Sequence, residues 1–315
     1  MNYFITGGAG FIGSNYVRML LNDLLGPVAR VKVFDKLTYA GSLKNLDGVC
    51  SDPRFNFIKG DICDQELVAS HIAEGDIVIN FAAESHVDRS ITEPSEFVRT
   101  NVLGTQVLLS SAVAKKVKLF LQVSTDEVYG SIKSGSSRES DTLEPNSPYS
   151  ASKAAADLLV RSYVQTYGLD ARITRCCNNY GPGQYREKFI PLAIQCIRNN
   201  RPIPIYGDGK NIREWIHVED HCRAIQLVLR NGKKGEVYNV GSGVLLENIE
   251  IASKLLKFSG KDPSLIKFVP DRLGHDFRYA LNSEKIESTL GFKAQGTFDI
   301  TLAELVKGVI SDNLK

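Results

Sequence analysis

Short runs of β-branched and aromatic residues alternate with longer amphipathic stretches in the first half of the chain. The runs are nearly continuous in apolar residues, which is typical of parallel strands buried on both faces. They predict strands at Tyr3–Thr6, Val31–Asp35, Phe55–Lys59, Asp76–Phe81 and Lys118–Ser124. The stretches between them predict helices, notably over Ile12–Leu25 and Val98–Ala114. Such alternation indicates right-handed crossovers that place helices on both faces of a parallel sheet.

The pattern changes beyond about residue 178, where Gly-rich and Pro-rich turn signals separate shorter segments. Helices are predicted over Phe189–Asn199, Glu219–Arg230 and Asn248–Phe258, and a strand over Val237–Val240. The sequence therefore predicts an α/β fold with a doubly wound parallel sheet over residues 1–177 and a smaller, mixed domain over residues 178–315. Some segments of the second part are expected to return to the first.

A glycine-rich segment joins the first predicted strand to the first predicted helix. Gly8-Ala9-Gly10-Phe11-Ile12-Gly13 fits the G-x-G-x-x-G pattern, in which glycine permits a tight turn and close approach of a pyrophosphate. The helix N-terminus offers N–H groups to the same phosphates. Asp35 ends the next predicted strand, where a carboxylate binds a ribose 2′-hydroxyl and repels a 2′-phosphate. Together these features predict a Rossmann-type site for NAD rather than NADP, with an unrelated glycine turn as the alternative.

Tyr149 and Lys153 stand four residues apart, so that both side chains lie on one face of a helix. A nearby ammonium favours the phenolate, and we expect Lys153 to lower the pKa of Tyr149 from its ordinary value of ~10. The pair is then a candidate general base for a sugar hydroxyl. The same spacing occurs by chance on helix surfaces, and the dinucleotide motif upstream is what favours the catalytic interpretation.

Two adjacent carboxyl groups, Asp126 and Glu127, follow the predicted strand Lys118–Ser124. Ligands of open α/β sheets bind at this end of the strands. Neighbouring carboxyl groups can differ in pKa so that one donates a proton while the other accepts one. We therefore predict a proton donor for a leaving hydroxyl beside a base that removes a proton from carbon. An equal alternative from spacing alone is a turn capped by Asp126 with Glu127 facing water.

Charge and composition narrow the class of partner. The 315 residues include 38 Lys and Arg against 36 Asp and Glu, a net charge of +2, and 43% of the residues are hydrophobic. A folded chain without a basic excess is not expected to bind nucleic acid or a membrane surface. No apolar run approaches the ~20 residues that span a bilayer, and the N-terminus lacks the pattern of a signal peptide. A cytoplasmic protein with six reduced, mostly buried cysteines is expected.

His217 and His221 have the four-residue spacing of helical metal ligands. No cysteine cluster or third ligand accompanies them, so we predict a turn and a helix start there and no metal. The sequence also has no P-loop, H-E-x-x-H or G-x-S-x-G pattern.

Several stretches resemble the extended short-chain dehydrogenase/reductase superfamily and, within it, the dTDP-glucose 4,6-dehydratases. They follow one another along nearly the whole chain: Thr6–Ser14, Asp35–Gly41, Ala82–Ser90, Ser124–Gly130, Tyr149–Lys153, Asn178–Pro182, Pro204–Asp220 and Pro270–Ala280. The Thr-Asp-Glu triplet at 125–127 distinguishes these dehydratases from the related 4-epimerases, which have no acid pair there. The resemblance implies NAD-dependent dehydration of dTDP-glucose by C4 oxidation, loss of water across C5 and C6, and hydride return to C6.

The resemblance also implies a role for each catalytic residue. Tyr149 takes the proton of the C4 hydroxyl, Lys153 holds the nicotinamide ribose, and Thr125 binds the C4 oxygen. Glu127 removes the C5 hydrogen, and Asp126 protonates the departing C6 hydroxyl.

Two further sets of residues match the family's binding positions. The residues implied to bind NAD are Gly7, Gly10, Phe11, Ile12, Gly13, Asp35, Lys36, Leu37, Thr38, Asp61, Ile62, Ala82, Ala83, Thr100, Tyr149, Lys153 and Asn179. The residues implied to bind the nucleotide sugar are Ser85, Thr125, Asn178, Lys188, Phe189, Pro204, Tyr206, Arg213, Asn248, Arg272 and His275. The planar fork of arginine suits phosphate oxygens, although ordinary surface ion pairs are the alternative for Arg213 and Arg272.

The chain departs from the family pattern in two places. Leu273 stands where the family usually has proline, and the stretch between Glu127 and Tyr149 is shorter than in many rhamnose-pathway members. The shorter form resembles the members that make deoxysugars of secondary metabolites such as antibiotics. The family also implies a homodimer, in which helices beside the Tyr149 helix pair. Two other interpretations stay open: a related dehydratase or 4-epimerase of a UDP sugar, and a non-catalytic subunit that binds a nucleotide sugar or NAD.

Overall fold

The computed structural model describes residues 1–311, along which strands alternate with helices. The strands are β1 (Asn2–Thr6), β2 (Arg30–Asp35), β3 (Phe55–Lys59), β4 (Ile77–Asn80), β5 (Leu119–Thr125), β6 (Ala171–Cys176), β7 (Asn178–Tyr180), β8 (Ile203–Tyr206), β9 (Ile212–His217), β10 (Val237–Val240), β11 (Leu245–Glu247) and β12 (Ile266–Val269). The helices are α1 (Phe11–Leu21), α2 (Gln65–His71), α3 (Val87–Thr92), α4 (Pro94–Phe97), α5 (Thr105–Ala114), α6 (Pro148–Tyr167), α7 (Phe189–Arg198), α8 (Val218–Asn231), α9 (Asn248–Ser259), α10 (Glu284–Leu290) and α11 (Phe298–Ser311).

Seven parallel strands form the main sheet, in the order β10-β6-β5-β4-β1-β2-β3. Every residue of β4 and β5 is buried, because helices cover both faces of the sheet. The strand order reverses between β1 and β4, where open α/β sheets form a ligand crevice at the carboxyl ends. The predicted Rossmann-type, doubly wound fold is confirmed.

The strands predicted in the first half are β1 to β5, each within one residue at its ends. The single helix predicted over Val98–Ala114 was wrong: the segment Val98–Gly104 is π-helical, and α5 begins only at Thr105. The wider turns accommodate the buried Asn101, whose side-chain amide bonds the backbone of Glu84 and the hydroxyl of Ser152. Such contacts between distant segments leave no signal in a hydrophobic pattern.

Segments beyond residue 177 build two smaller sheets beside the main one. One has the order β11-β9-β7 and the other pairs β12 with β8. Helices α7, α9 and α11 pack against them around a core that includes Tyr180, Trp215 and Leu255. The chain does not stay there, because β10 returns to the edge of the main sheet beside β6. The helices predicted near 189, 219 and 248 are α7, α8 and α9.

The cysteines of the chain are free thiols of unequal exposure. Cys50 is exposed and Cys63 is half-buried, and the buried ones are Cys176, Cys177, Cys196 and Cys222. Across residues 1–311, no helix combines the length and the apolar character that crossing a membrane requires.

A buried ion pair ties β2 to the turn before β4. Lys32 Nζ lies 2.8 Å from Asp76 Oδ2, and the two side chains are only 10% and 1% exposed. The same carboxylate oxygen accepts a hydrogen bond from Ala73 N, and Lys32 also donates to the His71 carbonyl. Because neither charge can reach water, removing one partner leaves the other charge buried alone.

Asp76→Asn is therefore expected to lower the free energy of unfolding by about 3 kcal/mol. Urea denaturation followed by circular dichroism measures the change. The control is Asp208→Asn, which removes the largely exposed partner of Lys210 and is expected to cost less than about 0.5 kcal/mol. Equal losses in the two variants would contradict a special role for the buried pair.

Candidate active site

The carboxyl ends of β1, β2, β4 and β5 open into one cleft, whose opposite wall comes from β7, α7 and β9. The five predicted catalytic residues, at positions 125–127, 149 and 153, all line it. The predicted cofactor and substrate residues that also line it are Gly7, Gly10, Phe11, Ile12, Gly13, Asp35, Lys36, Thr38, Asp61, Ile62, Ala82, Ala83, Ser85, Thr100, Asn178, Asn179, Lys188 and Phe189. The structure thus brings residues from both halves of the chain to one place.

The glycine loop turns sharply between β1 and α1. Gly7 has φ +66°, a conformation that favours glycine, and a Cβ at Gly13 would lie 2.3 Å from the Gly7 carbonyl oxygen. The loop therefore needs glycine at both positions. Gly10, at the N-cap of α1, has no side chain to cap the helix. The first N–H groups of α1 are then suited to the oxygens of a pyrophosphate.

Asp35 closes the glycine loop from the end of β2. Its Oδ2 accepts a hydrogen bond from Ala9 N at 2.9 Å, and its Oδ1 accepts one from Leu37 N at 2.8 Å. Leu37 has φ +57° and orients this carboxylate rather than lining the cleft. Each oxygen keeps a lone pair for a ribose hydroxyl, and burial raises the pKa of Asp35. The loop and the carboxylate together fit NAD.

Asp126 and Glu127 begin a short 3₁₀ turn, Asp126–Tyr129, directly after β5. The Thr125 hydroxyl caps the turn: it accepts a hydrogen bond from Glu127 N at 3.3 Å and donates one to Asp126 Oδ1 at 3.2 Å. Gly130 ends the turn at φ +74°, where a Cβ would lie 2.2 Å from the Glu144 carbonyl oxygen. The turn therefore fixes two adjacent carboxyl groups at the floor of the cleft.

The two carboxyl groups have unlike surroundings. Burial raises the pKa of Asp126 well above its usual range, and the nearby Glu127 raises it further. Burial also raises the pKa of Glu127, but the positive charges of Arg213, Arg272 and Lys188 oppose that rise. Asp126 Oδ2 is buried and has no hydrogen-bond partner within residues 1–311. The surroundings favour a protonated Asp126 beside a Glu127 that ionises more readily.

The start of α6 places the tyrosine and the lysine. Ser147 and Ser150 form a reciprocal capping box, with hydroxyl-to-amide distances of 3.1 and 3.0 Å, and Pro148 occupies the first turn. Tyr149 and Lys153 follow one turn apart on the face that lines the cleft. Because the cap fixes where the helix begins, it also fixes the position of both side chains.

The expectation that Lys153 lowers the pKa of Tyr149 was wrong. Burial raises the pKa of Tyr149 well above its usual range, and Glu127 and Cys176 raise it further. The Lys153 ammonium donates instead to the Val123 carbonyl at 2.7 Å, and burial lowers its own pKa. Desolvation of the phenol outweighs the lowering of its pKa by the hydrogen bond with Thr125.

Some predicted residues do not line the cleft: Leu37, Pro204, Tyr206, Arg213, Asn248, Arg272 and His275. Tyr206 and Arg272 both approach Asp88, at 3.4 and 3.7 Å, and the His275 ring lies edge-on to Tyr206. These three form a cluster. Pro204 lies in β8 and Asn248 begins α9, and their contact with a substrate stays a prediction.

Arg213 does not form the ordinary surface ion pair that was the alternative to substrate binding. It is buried, its guanidinium lies 4.4 Å from the centre of the Tyr279 ring, and it donates to the carbonyls of Asp276 and Phe277. The positive charge lies near enough to Glu127 to lower the pKa that burial raises. Arg213 therefore acts electrostatically on the acid pair.

The sequence analysis missed aromatic residues of the cleft wall. Tyr39 lies 4.1 Å from the Arg89 guanidinium and edge-on to Tyr185, and Arg89 also pairs with Glu187 at 2.7 Å. These contacts join the loop after β2 to the segment before α7. The position of Tyr39 beyond the end of β2 was an available signal. Trp215 lies inside β9 and offered none.

His221, one of the two histidines with metal-ligand spacing, is fully buried. Its Nδ1 lies 2.8 Å from Asn179 Oδ1, so the ring orients a residue of the cleft wall. Within the described part of the chain, no group of three or more His, Cys, Asp or Glu side chains could hold a metal ion.

The raised pKa of Asp126 predicts a pH-dependent stability effect. A carboxyl whose folded-state pKa is raised contributes stability below its unfolded pKa, and this contribution is lost as the pH rises through the folded pKa. We expect Asp126→Asn, which mimics the neutral acid, to have a higher Tm than the unmodified protein at about pH 8 and a similar one at about pH 4. Thermal unfolding at several pH values tests this. Asp52→Asn is the control, because Arg54 lowers the pKa of Asp52 and no gain is expected there.

The glycine loop gives a second prediction. In Gly13→Ala the new Cβ meets the Gly7 carbonyl, so dinucleotide affinity is expected to fall at least about 100-fold, equivalent to about 2.7 kcal/mol. Isothermal titration with NAD measures the affinity. The matched control is Gly308→Ala, where a Cβ meets nothing within 4 Å among the residues that the structure describes. Unchanged affinity in Gly13→Ala would contradict the assigned loop geometry.

Known proteins share this architecture along nearly the whole chain. Residues 4–305 match the family model described as GDP-mannose 4,6 dehydratase. The chain is 49% identical to a dTDP-glucose 4,6-dehydratase of Streptomyces niveus, over 98% of this chain and 92% of that protein. It is 51% identical to a low-salt glycan biosynthesis protein of Haloferax volcanii, over 99% of this chain and 100% of that protein. The crystal structure of DesIV, a dTDP-glucose 4,6-dehydratase from Streptomyces venezuelae with NAD and dTDP bound, matches with a TM-score of 0.97 and 52% identity, covering 99% of this chain and 98% of that one. The chain belongs to this family of nucleotide-sugar dehydratases, and within it to the dTDP-glucose 4,6-dehydratases.

Proposed function

We propose that this protein uses NAD to dehydrate dTDP-glucose to dTDP-4-keto-6-deoxyglucose. The observation that carries the proposal is the acid pair at the end of β5. The pKa of the buried Asp126 is raised well above its usual range, and that of the adjacent Glu127 is raised less. Tyr149 and Lys153 line the same cleft. Oxidation needs a base for a hydroxyl proton, and dehydration needs an acid and a base of its own. The cleft contains all three.

Oxidation at C4 begins with a proton transfer. Tyr149 takes the proton of the C4 hydroxyl, and the Thr125 hydroxyl binds the same oxygen. When bound, NAD supplies the hydride acceptor, the later hydride donor, and a cationic ring that favours the phenolate. Lys153, held by the Val123 carbonyl, adds a positive charge one helical turn from Tyr149. The neutral phenol that the raised pKa of Tyr149 favours is the form left after proton transfer.

Elimination uses the acid pair. A ketone at C4 acidifies the hydrogen at C5, and Glu127 removes it. Asp126, kept protonated by burial and by the neighbouring carboxylate, donates a proton to the C6 oxygen, which leaves as water. Its buried Oδ2 has no other hydrogen-bond partner among the residues described, so this oxygen remains available to the substrate. Hydride return to C6 and protonation at C5 complete the reaction.

A second turnover requires that Tyr149 and Asp126 return to their starting protonation states. Tyr149 gains the C4 hydroxyl proton and Asp126 loses one to water, while Glu127 takes a proton from C5 and returns one. One proton must therefore pass from Tyr149 to Asp126 before the next turnover. The Thr125 hydroxyl contacts both: it donates to Asp126 Oδ1 at 3.2 Å, and its hydrogen bond opposes the burial that raises the pKa of Tyr149.

The open alternatives explain less of this site. A 4-epimerase resembles this chain in the dinucleotide loop and the Tyr-Lys pair but needs no acid pair. A non-catalytic subunit needs neither the acid pair nor a buried phenol beside it. Burying ionisable groups lowers the stability of a fold, and such groups are typical of sites where they act in catalysis.

The assembly and the pathway are also part of the proposal. We infer a homodimer formed by α6 and the neighbouring π-helical segment, which is supported by the exposed side chains of Val98, Leu103 and Leu158 at 56%, 47% and 55%. The short stretch between Glu127 and Tyr149 supports a role in making deoxysugars of secondary metabolites such as antibiotics. We place the protein in the cytoplasm, where NAD and nucleotide sugars are available.

Two substitutions separate oxidation from elimination. Glu127→Gln is expected to reduce NAD in a single turnover, because oxidation precedes its step, and to lose product formation by about 100-fold or more. Tyr149→Phe is expected to lose both. Absorbance at the wavelength of reduced NAD follows the first step, and the alkali-induced absorbance of the 4-keto product follows the second. Glu66→Gln, at an exposed carboxyl of α2, is the control and retains both.

The same product assay with two substrates tests the identity of the sugar nucleotide. Product from dTDP-glucose supports the proposal. Turnover of UDP-glucose without turnover of dTDP-glucose reassigns the substrate, and turnover of neither favours a binding subunit. Full product formation by Glu127→Gln contradicts the role of that residue alone.

A further inference from the structure

A third ionisable residue continues the line of Tyr149 and Lys153 along α6. Asp157 lies one turn beyond Lys153, so its side chain falls on the same helix face. It is 2% exposed, and burial raises its pKa against the opposing charges of Arg175 and Lys153. Asp157 does not line the cleft, and the mechanism above does not use it.

Asp157 forms a buried ion pair with β6. Its Oδ2 lies 2.9 Å from Arg175 Nε, and the side chains are 1% and 6% exposed. Arg175 also donates to the Tyr129 hydroxyl at 2.8 Å and lies over its ring, 4.9 Å from the centre. Tyr129 in turn donates to Asn239 Oδ1 on β10 at 2.8 Å. The chain of contacts runs from α6 through β6 to the residue that ends the 3₁₀ turn.

This chain of contacts joins the two catalytic segments on the side away from the cleft. Tyr129 is the last residue of the turn that begins with Asp126 and Glu127, and Asp157 lies on the helix that carries Tyr149 and Lys153. The two segments are distant in sequence, and α6 also packs directly against β5 and the 3₁₀ turn. A hydrogen-bonded guanidinium fixes distance and angle more closely.

Asp157 also provides the negative charge that a buried lysine needs. Burial lowers the pKa of Lys153, and Asp157 is the strongest opposing influence. The Lys153 ammonium has a neutral partner, the Val123 carbonyl. Arg175 Nε contacts only Oδ2 of Asp157, and the Ser124 hydroxyl lies near enough to lower the pKa of this carboxyl.

We propose that Asp157 is a positioning residue with two effects: its carboxylate places a negative charge one helical turn from the buried ammonium of Lys153, and its pair with Arg175 and Tyr129 holds the acid-pair turn against the Tyr149 helix. The first effect is a property of the protein itself. The second rests on the proposed function, because it concerns the rate of dehydration.

The charge of Lys153 can be measured without substrate. Competitive acetylation with trace acetic anhydride, between about pH 6 and about pH 11, gives the titration midpoint of Lys153 by peptide mass spectrometry. We expect Asp157→Asn to lower this midpoint by about one pH unit, because the opposing charge is lost. We expect Arg175→Gln to raise it, because the charge of Asp157 is then no longer shared.

The matched control is Asp76→Asn, which also removes one partner of a buried ion pair on the same sheet. General loss of stability is expected in all three variants and cannot produce shifts of opposite sign in Lys153. If Asp157→Asn does not fold, the upward shift in Arg175→Gln carries the test. A midpoint that moves in neither variant, or equally in Asp76→Asn, overturns the first effect.

Tyr129→Phe tests the second effect, because it removes the hydroxyl between Arg175 and Asn239 and leaves the ring and every charge in place. We expect kcat for dTDP-glucose to fall about 10-fold to 100-fold with little change in KM or in the Lys153 midpoint. In Asp157→Asn the alkaline limb of the kcat profile should also move to lower pH, as the lysine does. Unchanged kcat in Tyr129→Phe overturns the positioning effect. If the unmodified protein has no dehydratase activity, the proposed function fails, whereas the lysine titration still decides the first effect.

Discussion

The structure depends on placing ionisable groups where water cannot solvate them. Asp126, Tyr149 and Lys153 are each less than 10% exposed, and burial is the largest influence on the pKa of all three. Burial favours the neutral forms of the acid and the phenol and disfavours the charged lysine. Acid–base chemistry follows from these unequal surroundings, because the adjacent Asp126 and Glu127, which titrate alike in water, have their pKa values raised by different amounts.

Backbone features at the carboxyl ends of the strands maintain that arrangement. Thr125 caps the turn after β5, the serine capping box starts α6, and glycine loops close where any Cβ would clash. Each of these is local and stereochemically strict. The sheet behind them is rigid because its central strands are buried on both faces. A small set of local constraints on a stiff frame is therefore enough to hold the site.

The sequence predicted what depends on near neighbours. The apolar runs of β1 to β5, the glycine loop and the Asp126-Glu127 pair were all visible in short windows of residues. The π-helical segment around Asn101 was not, because contacts with Glu84 and Ser152 hold it. The pKa of Tyr149 was predicted with the wrong sign, since spacing reveals the neighbouring Lys153 but not the depth of burial. The backbone-bonded Arg213 was hidden for the same reason.

The return of β10 to the main sheet affects how the cleft can open. The chain passes from β6 to the smaller sheets at Asn178, comes back at α8 and β10, and leaves again at β11. Several covalent crossings therefore join the two walls, and a wide hinge rotation about one linker is not available to them. The contact between Tyr39 and Tyr185 adds a non-covalent link between the same two walls. The relative position of the two walls, and with it the width of the cleft, is therefore set by the connectivity of the fold.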